Sequence, residues 1–488
     1  MLLACAIALS GAGPASAADR EAAPRAAVRE GVLKGSAAEG IQRFLDIPYA
    51  AAPTGDRRWK EPAPPAAWQG ERDALEYGPA CAQGSPSGKV DFPTSEDCLT
   101  LNVWTPAERT KPLPVMVWIH GGGHMWGSGR EAKLDGTRLA QKGVVLVTIN
   151  YRLGALGFMA HPELTAESPH HASGNYGILD QIAALKWVRE NIASFGGDPG
   201  NVTIFGESAG SGAINILQAS PLAKGLFHRV IGESTSEMDP DGGMVGRQDL
   251  HTAEANGTAF GAKLGAPSIT ALRAVPAEKI VSAPVFFWPT ESDGYVLPDI
   301  VYNIFAKGEQ NDVPTLVGSN SFEGSTLRRD WVKPGPDEQA EFDGLYAGSR
   351  DALGQSATDA VQWQMRVWAA LQADKGRSKA WLYWFDRAWP GKPELGAFHG
   401  GEIVYVFKNL GAEDQPWTAD DRKVSDLTAD YWVNFARAGD PNGPGLPAWP
   451  AYDDKAPRLM RLAPDPGVIG TPRPDAQDFL DRYFDKRR

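Results

Sequence analysis

The chain has 488 residues, 42% hydrophobic and 22% charged, which is enough to bury a large core. A net charge of −12 leaves no basic patch to neutralise phosphates and argues against a nucleic-acid partner. Length alone suggests about three domains. No Gly/Ser tract, long charge run or internal repeat offers a boundary, however, so one large domain over residues 19–488 is expected.

Residues 1–18 read as an export signal. Leu2–Leu9 form the apolar stretch, and Ala15-Ser16-Ala17 is a small-x-small cleavage pattern. The usual basic opening is missing, which leaves room for a start codon upstream of Met1. Leu2-Leu3-Ala4-Cys5 resembles a lipoprotein box but has no hydrophobic stretch before it, so lipidation is disfavoured. No other segment approaches the roughly 20 apolar residues of a membrane span. A soluble protein, secreted or periplasmic, is the expectation. Beyond the signal only Cys81 and Cys98 remain. An even pair in an exported chain reads as one disulfide closing a short loop, and no further ligands for a metal stand nearby.

Phe44–Ala50 opens the folded part and is followed by a proline-rich surface run through Trp68. Leu99–Trp104 alternates as a strand. Val115–Ile119 is a fully apolar strand leading into His120-Gly121-Gly122-Gly123-His124. Val144–Ile149 is another buried strand, and Ile178, Ile182, Leu185, Val188 and Ile192 mark an amphipathic helix. Strands alternating with helices point to a mostly parallel sheet covered on both faces, with a ligand at the strands' carboxyl ends. Both Gly-rich turns of interest fall there.

The first is the triple glycine. Its backbone N–H groups can converge on a developing oxyanion, each donor being worth about 10²–10³ in rate. A phosphate loop would end in Lys-Ser/Thr, whereas this one continues His124-Met125-Trp126. The second follows the short strand Val202–Phe205. Gly206-Glu207-Ser208-Ala209-Gly210 leads directly into Ala213, Ile214, Ile216 and Leu217 at helical spacing. Strand, G-x-S-x-G and helix is the setting of a nucleophile elbow, which makes Ser208 the candidate nucleophile and the Ala209 N–H a further oxyanion donor.

Three of the eight histidines follow Ser208. His228 runs into the strand Val230-Ile231 and reads as packing. His251 lies in a polar stretch. His399 sits in a Gly-flanked loop after the aromatic strand Trp381–Phe385, where an imidazole could be aimed at the serine, although a lone loop histidine is usually just solvated. Pro314–Gly318 is a strand and Glu323 stands in the turn after it. If Glu323 is the acid, His399 is the only histidine left to serve as base. Last in order, Thr418 caps a helix with an acidic first turn. Leu427, Tyr431, Val433, Phe435 and Ala436 give it an apolar face, and Gly439 ends it.

Several ordered blocks now coincide: Ser95–Asn102 (SEDCLTLN), Gly121–Gly123, Ser173–Gly177 (SGNYG) and Phe205–Ser211. Together they resemble the type-B carboxylesterases, the α/β-hydrolase branch that includes cholinesterases and bacterial para-nitrobenzyl esterase. The likeness runs from Phe44 to Asn442. It implies a Ser208–Glu323–His399 triad, oxyanion donors from Gly122, Gly123 and Ala209, and a Cys81–Cys98 disulfide. It also implies an acidic residue before the serine, here Glu207, and a supporting serine, here Ser234. Two departures stand out. Phe322 replaces the usual Asp before the acid. The Cys81–Cys98 loop is short and lacks the tryptophan of cholinesterases, which disfavours choline esters. Trp126, Phe287 and Trp288 are expected to line the substrate pocket, or else to pack in the core.

The expectation is thus an α/β-hydrolase acting as a serine carboxylic-ester hydrolase on a small-molecule ester, through an acyl-enzyme and without metal or cofactor. Esters of bulky natural products, amides, lactones and carbamates are alternatives within the class. A non-catalytic adhesion module of the same fold is the rival outside it.

Overall fold

The computed structural model describes residues 23–84, 90–239 and 248–487. The expected export signal lies outside the described residues. Eleven strands form the central sheet: β1 (Ser36–Ala38), β2 (Ile41–Pro48), β3 (Thr100–Pro106), β4 (Leu113–Ile119), β5 (Val145–Ile149), β6 (Gly197–Glu207), β7 (Arg229–Glu233), β8 (Thr315–Asn320), β9 (Ala380–Phe385), β10 (Leu459–Leu462) and β11 (Gly467–Ile469). Their order is β11-β10-β9-β8-β7-β6-β4-β5-β3-β2-β1. The run from β5 through β4, β6, β7, β8 and β9 to β10 is parallel. Both edges turn antiparallel.

The expected strands are present, all but β6 shifted by at most a residue or two at their ends. The largest difference is β6, which starts at Gly197 rather than Val202. Gly197 pairs with Leu113, and the ladder then shifts register before resuming at Val202 opposite Val115. The Asp198-Pro199-Gly200 turn hides this early pairing in the sequence.

Among the helices that frame the sheet and its carboxyl end are α1 (Tyr176–Asn191), α2 (Ala209–Ala219), α3 (Val301–Ala306), α4 (Ala352–Lys375) and α5 (Ala419–Ala438). Strand β4 explains why they lie on two sides. Val115, Val117 and Ile119 point into one core, with residues of α1, α2 and α4. Met116 and Trp118 point into a second core, where Phe205, Trp381, Phe435 and Trp432 meet them from the neighbouring strands and α5. Side chains alternate across the sheet as in any strand, but both faces are covered, so the sequence reads as continuous apolar residues.

Thr418 and Asp421 close a capping box at the start of α5, with the Thr418 N–H donating to Asp421 Oδ2 at 2.9 Å. Gly439 ends the helix in the left-handed conformation at φ 73°. Cys81 and Cys98 are joined by a disulfide. Among the described residues no helix is long and apolar enough to cross a membrane.

Candidate active site

Ser208 stands at the junction of β6 and α2, with φ 56° and ψ −127°. Few side chains tolerate that conformation, and its surroundings hold it there. The Ser208 N–H donates to Glu233 O at 2.8 Å. The Thr235 hydroxyl donates to Ser208 O at 2.6 Å. The flanking glycines are set by a close approach to the end of β4: a Cβ on Gly206 or Gly210 would lie 2.3 or 2.1 Å from Ile119 O. The turn therefore nests against β4 only without side chains at both positions.

Three chain segments meet at the serine. With Nδ1 protonated, His399 donates to Glu323 Oε2 at 2.7 Å. Its Nε2 then accepts from the Ser208 hydroxyl at 2.8 Å. Glu323 is fully buried just beyond the end of β8, and its Oε1 accepts the Asn320 N–H at 2.6 Å. Phe322, which departs from the family pattern, bonds through its backbone: its N–H donates to Ala397 O at 3.0 Å. The acid loop and the histidine loop are thus joined without any demand on the side chain at 322.

The other two histidines lie elsewhere. The Val202 N–H donates to His228 Nδ1 at 3.1 Å, and His251 is exposed on the helix Leu250–Lys263.

A second carboxyl faces the imidazole. Glu207 Oε1 lies 3.2 Å from His399 Nε2, and both side chains are largely buried. Burial opposes an imidazolium here, but the Glu207 and Glu323 carboxylates outweigh it and push His399 up to about 9. Glu207 itself is raised by burial. Beneath them lies Glu402, which the sequence does not single out. It accepts from the Ser234 hydroxyl at 3.2 Å and from the Asn320 amide, and burial raises it to about 8. The only hint is its position, three residues after His399 and leading an apolar run, where a charged side chain would otherwise face the core.

Gly122 and Gly123, at φ 98° and 61°, lie in the turn after β4 and line the same cavity as Ser208. Ala209 opens α2, so its N–H is one of those a helix leaves without an internal partner. These groups border a cavity of about 550 Å³, whose walls include Trp126, Glu207, Ser208, Trp288 and His399. Phe287 corrects the expected pocket. It does not line the cavity; it is buried edge-on against Phe260 at 5.1 Å between ring centroids. Of the two aromatics, Trp288 lines the cavity and Phe287 does not.

A hydroxyl, imidazole and carboxylate in one hydrogen-bonded line permit the hydroxyl to attack a carbonyl as the imidazole takes its proton. Together with the sheet order, the turn between β6 and α2 defines the α/β-hydrolase fold. Two regions of the chain, residues 22–346 and 343–480, match the model of the carboxylesterase family. The chain belongs to that family and is a carboxylic ester hydrolase. It is 39% identical over 448 residues to a fumonisin B1 esterase of Sphingopyxis macrogoltabida, covering 85% of this chain and 82% of that protein. It is 35% identical over 491 residues to the para-nitrobenzyl esterase of Bacillus subtilis (strain 168), covering 92% and 97%. A solved para-nitrobenzyl (PNB) esterase structure superposes with a TM-score of 0.82 at 33% identity, over 93% of this chain and 99% of that one.

Proposed function

We propose that the protein is an exported serine esterase working through a Ser208–His399–Glu323 triad. The observation that carries the reading is the continuous line from the Ser208 hydroxyl to His399 at 2.8 Å and on to Glu323 at 2.7 Å. Ser208 Oγ attacks the ester carbonyl while His399 Nε2 takes its proton, and Glu323 stabilises the imidazolium. The oxyanion is held by the N–H groups of Gly122, Gly123 and Ala209. His399 then protonates the leaving alcohol, and an acyl group remains on Ser208. Water, deprotonated by His399, attacks that acyl group and releases the acid. Glu207, Trp126 and Trp288 wall the substrate, and Ser234 with Glu402 braces the loop that carries His399.

The substrate is a small-molecule ester. The para-nitrobenzyl ester in the name of the Bacillus relative supports an aryl or benzyl ester as the first one to assay. The apolar Leu2–Leu9 run and the Ala15-Ser16-Ala17 pattern support removal of residues 1–18 on export, with residues 19–488 as the mature enzyme. N-terminal sequencing of secreted material tests this, and retention of Met1 in that material would reject it. For the chemistry, Ser208→Ala is expected to fold as wild type and to lose about 10⁶ in kcat on p-nitrophenyl acetate. Turnover at the wild-type rate would refute the assignment.

A further inference from the structure

Besides the groups already described, the cavity has a carboxyl that no described residue engages. Glu237 lines the cavity from the segment after β7. Its backbone N–H donates to Asn215 Oδ1 at 2.9 Å, which fixes the residue against α2. Its Oε1 lies so near Gly212 that a Cβ there would come within 2.7 Å. Gly212 is one helical turn beyond Ser208, its N–H donating to Ser208 O at 3.0 Å, and Glu237 and Ser208 line the same cavity.

No hydrogen bond or ion pair reaches that carboxylate among the described residues. The cations of the cavity are engaged elsewhere: Lys133 pairs with Glu131 at 3.1 Å, Lys392 lies 5.2 Å from the Trp389 ring centroid, and Arg329 has an interaction of its own. Asp239, Glu291 and Gln364 also line the cavity, and part of its wall is apolar. The apolar part includes Ile216 of α2, Ile300 and Val301 at the start of α3, and Trp331. Burial in these surroundings raises Glu237 to about 7. A half-buried carboxylate without a counter-charge is costly to ionise, and a cation entering the cavity would remove that cost.

We propose that Glu237 recognises a protonated amine on the substrate, so that the cavity selects esters bearing an ammonium group over neutral esters of the same shape. For its catalytic meaning this rests on the proposed ester hydrolysis at Ser208, but the binding it requires does not.

The test is run at pH 8.5 on the full-length protein. Calorimetry compares n-hexylammonium with hexan-1-ol, and kinetics compare p-nitrophenyl 6-aminohexanoate with p-nitrophenyl heptanoate. Wild type is expected to prefer the charged member of each pair by about tenfold or more, the scale of one charge-assisted contact. In Glu237→Gln both ratios are expected to fall to near one, with hexan-1-ol affinity retained as the sign of an intact pocket. Equal affinity of wild type for the two ligands, no detectable binding of the ammonium, or a preference that survives Glu237→Gln would each overturn the proposal. Selective ammonium binding by a wild type that hydrolyses neither ester would support the amine site while rejecting the hydrolytic reading.

Discussion

The carboxylates around the imidazole set the pH profile. A base must be neutral to accept the serine proton, and Glu207 and Glu323 hold His399 above its ordinary 6.5. The acid limb of kcat/KM should therefore lie above 6.5, with activity rising as pH climbs toward 9. Glu207→Gln should move that limb to lower pH. A limb at or below 6.5 in wild type would contradict the electrostatic account. His399→Ala should be about as inactive as Ser208→Ala, because the two act as a unit. His228→Ala should keep wild-type kcat/KM, since its ring only accepts the Val202 N–H. Reversed outcomes in that pair of assays would move the base to His228. Of these residues Ser208 is the most legible in the sequence, because everything that defines it is local. Strand, glycine, serine, glycine and helix fall within a few residues, and Ile119 O explains both glycines. His399 and Glu323 stand 191 and 115 residues from the serine, and only chain order and family resemblance select them from other loop residues. Glu402 escapes notice because a carboxyl three residues past His399 gives no pattern of its own.

At the scale of elements, the elbow makes the sharpest prediction. Gly210→Ala would place a Cβ 2.1 Å from Ile119 O, forcing α2 away from β4. Overpacking of this kind costs about 1–3 kcal/mol, so thermal melting should show a lower Tm together with lost esterase activity. An unchanged Tm and rate would mean that the elbow does not nest on β4 as described. The Cys81–Cys98 disulfide closes a loop of sequence separation 17. Converting both cysteines to alanine should cost about 3 kcal/mol of stability, seen as a lower urea midpoint, by widening the unfolded ensemble. Strands and helices are readable in the sequence where they are long and strongly apolar, as in β4, β5, β9 and α5. Their boundaries are less so. The register shift in β6 depends on Leu113 across the sheet, and pairing between strands leaves no trace in either strand alone. The orientation of Trp288 and Phe287 is likewise hidden, because two adjacent aromatics of similar apolarity do not reveal which one faces a cavity.

Over the whole molecule, a single eleven-stranded sheet with a core on each face runs through the described residues. Its parallel centre is legible because parallel order follows from helical crossovers. Its antiparallel edges are not, since β3 pairs with β2 and β5 across long stretches of chain, and only the assembled sheet reveals those partners. That sheet holds the carboxyl ends of β4, β6 and β8 on one side, so the Ser208 hydroxyl, the Gly121–Gly123 turn and the Glu323 carboxyl, distant in sequence, come together. The proposed nucleophile is the hydroxyl so presented. Labelling with a fluorophosphonate probe, followed by peptide mass spectrometry, addresses it directly. One label per chain on Ser208, absent from Ser208→Ala, is the predicted result. A protein that hydrolyses esters yet carries the label on another residue, or labels fully after Ser208→Ala, would contradict it.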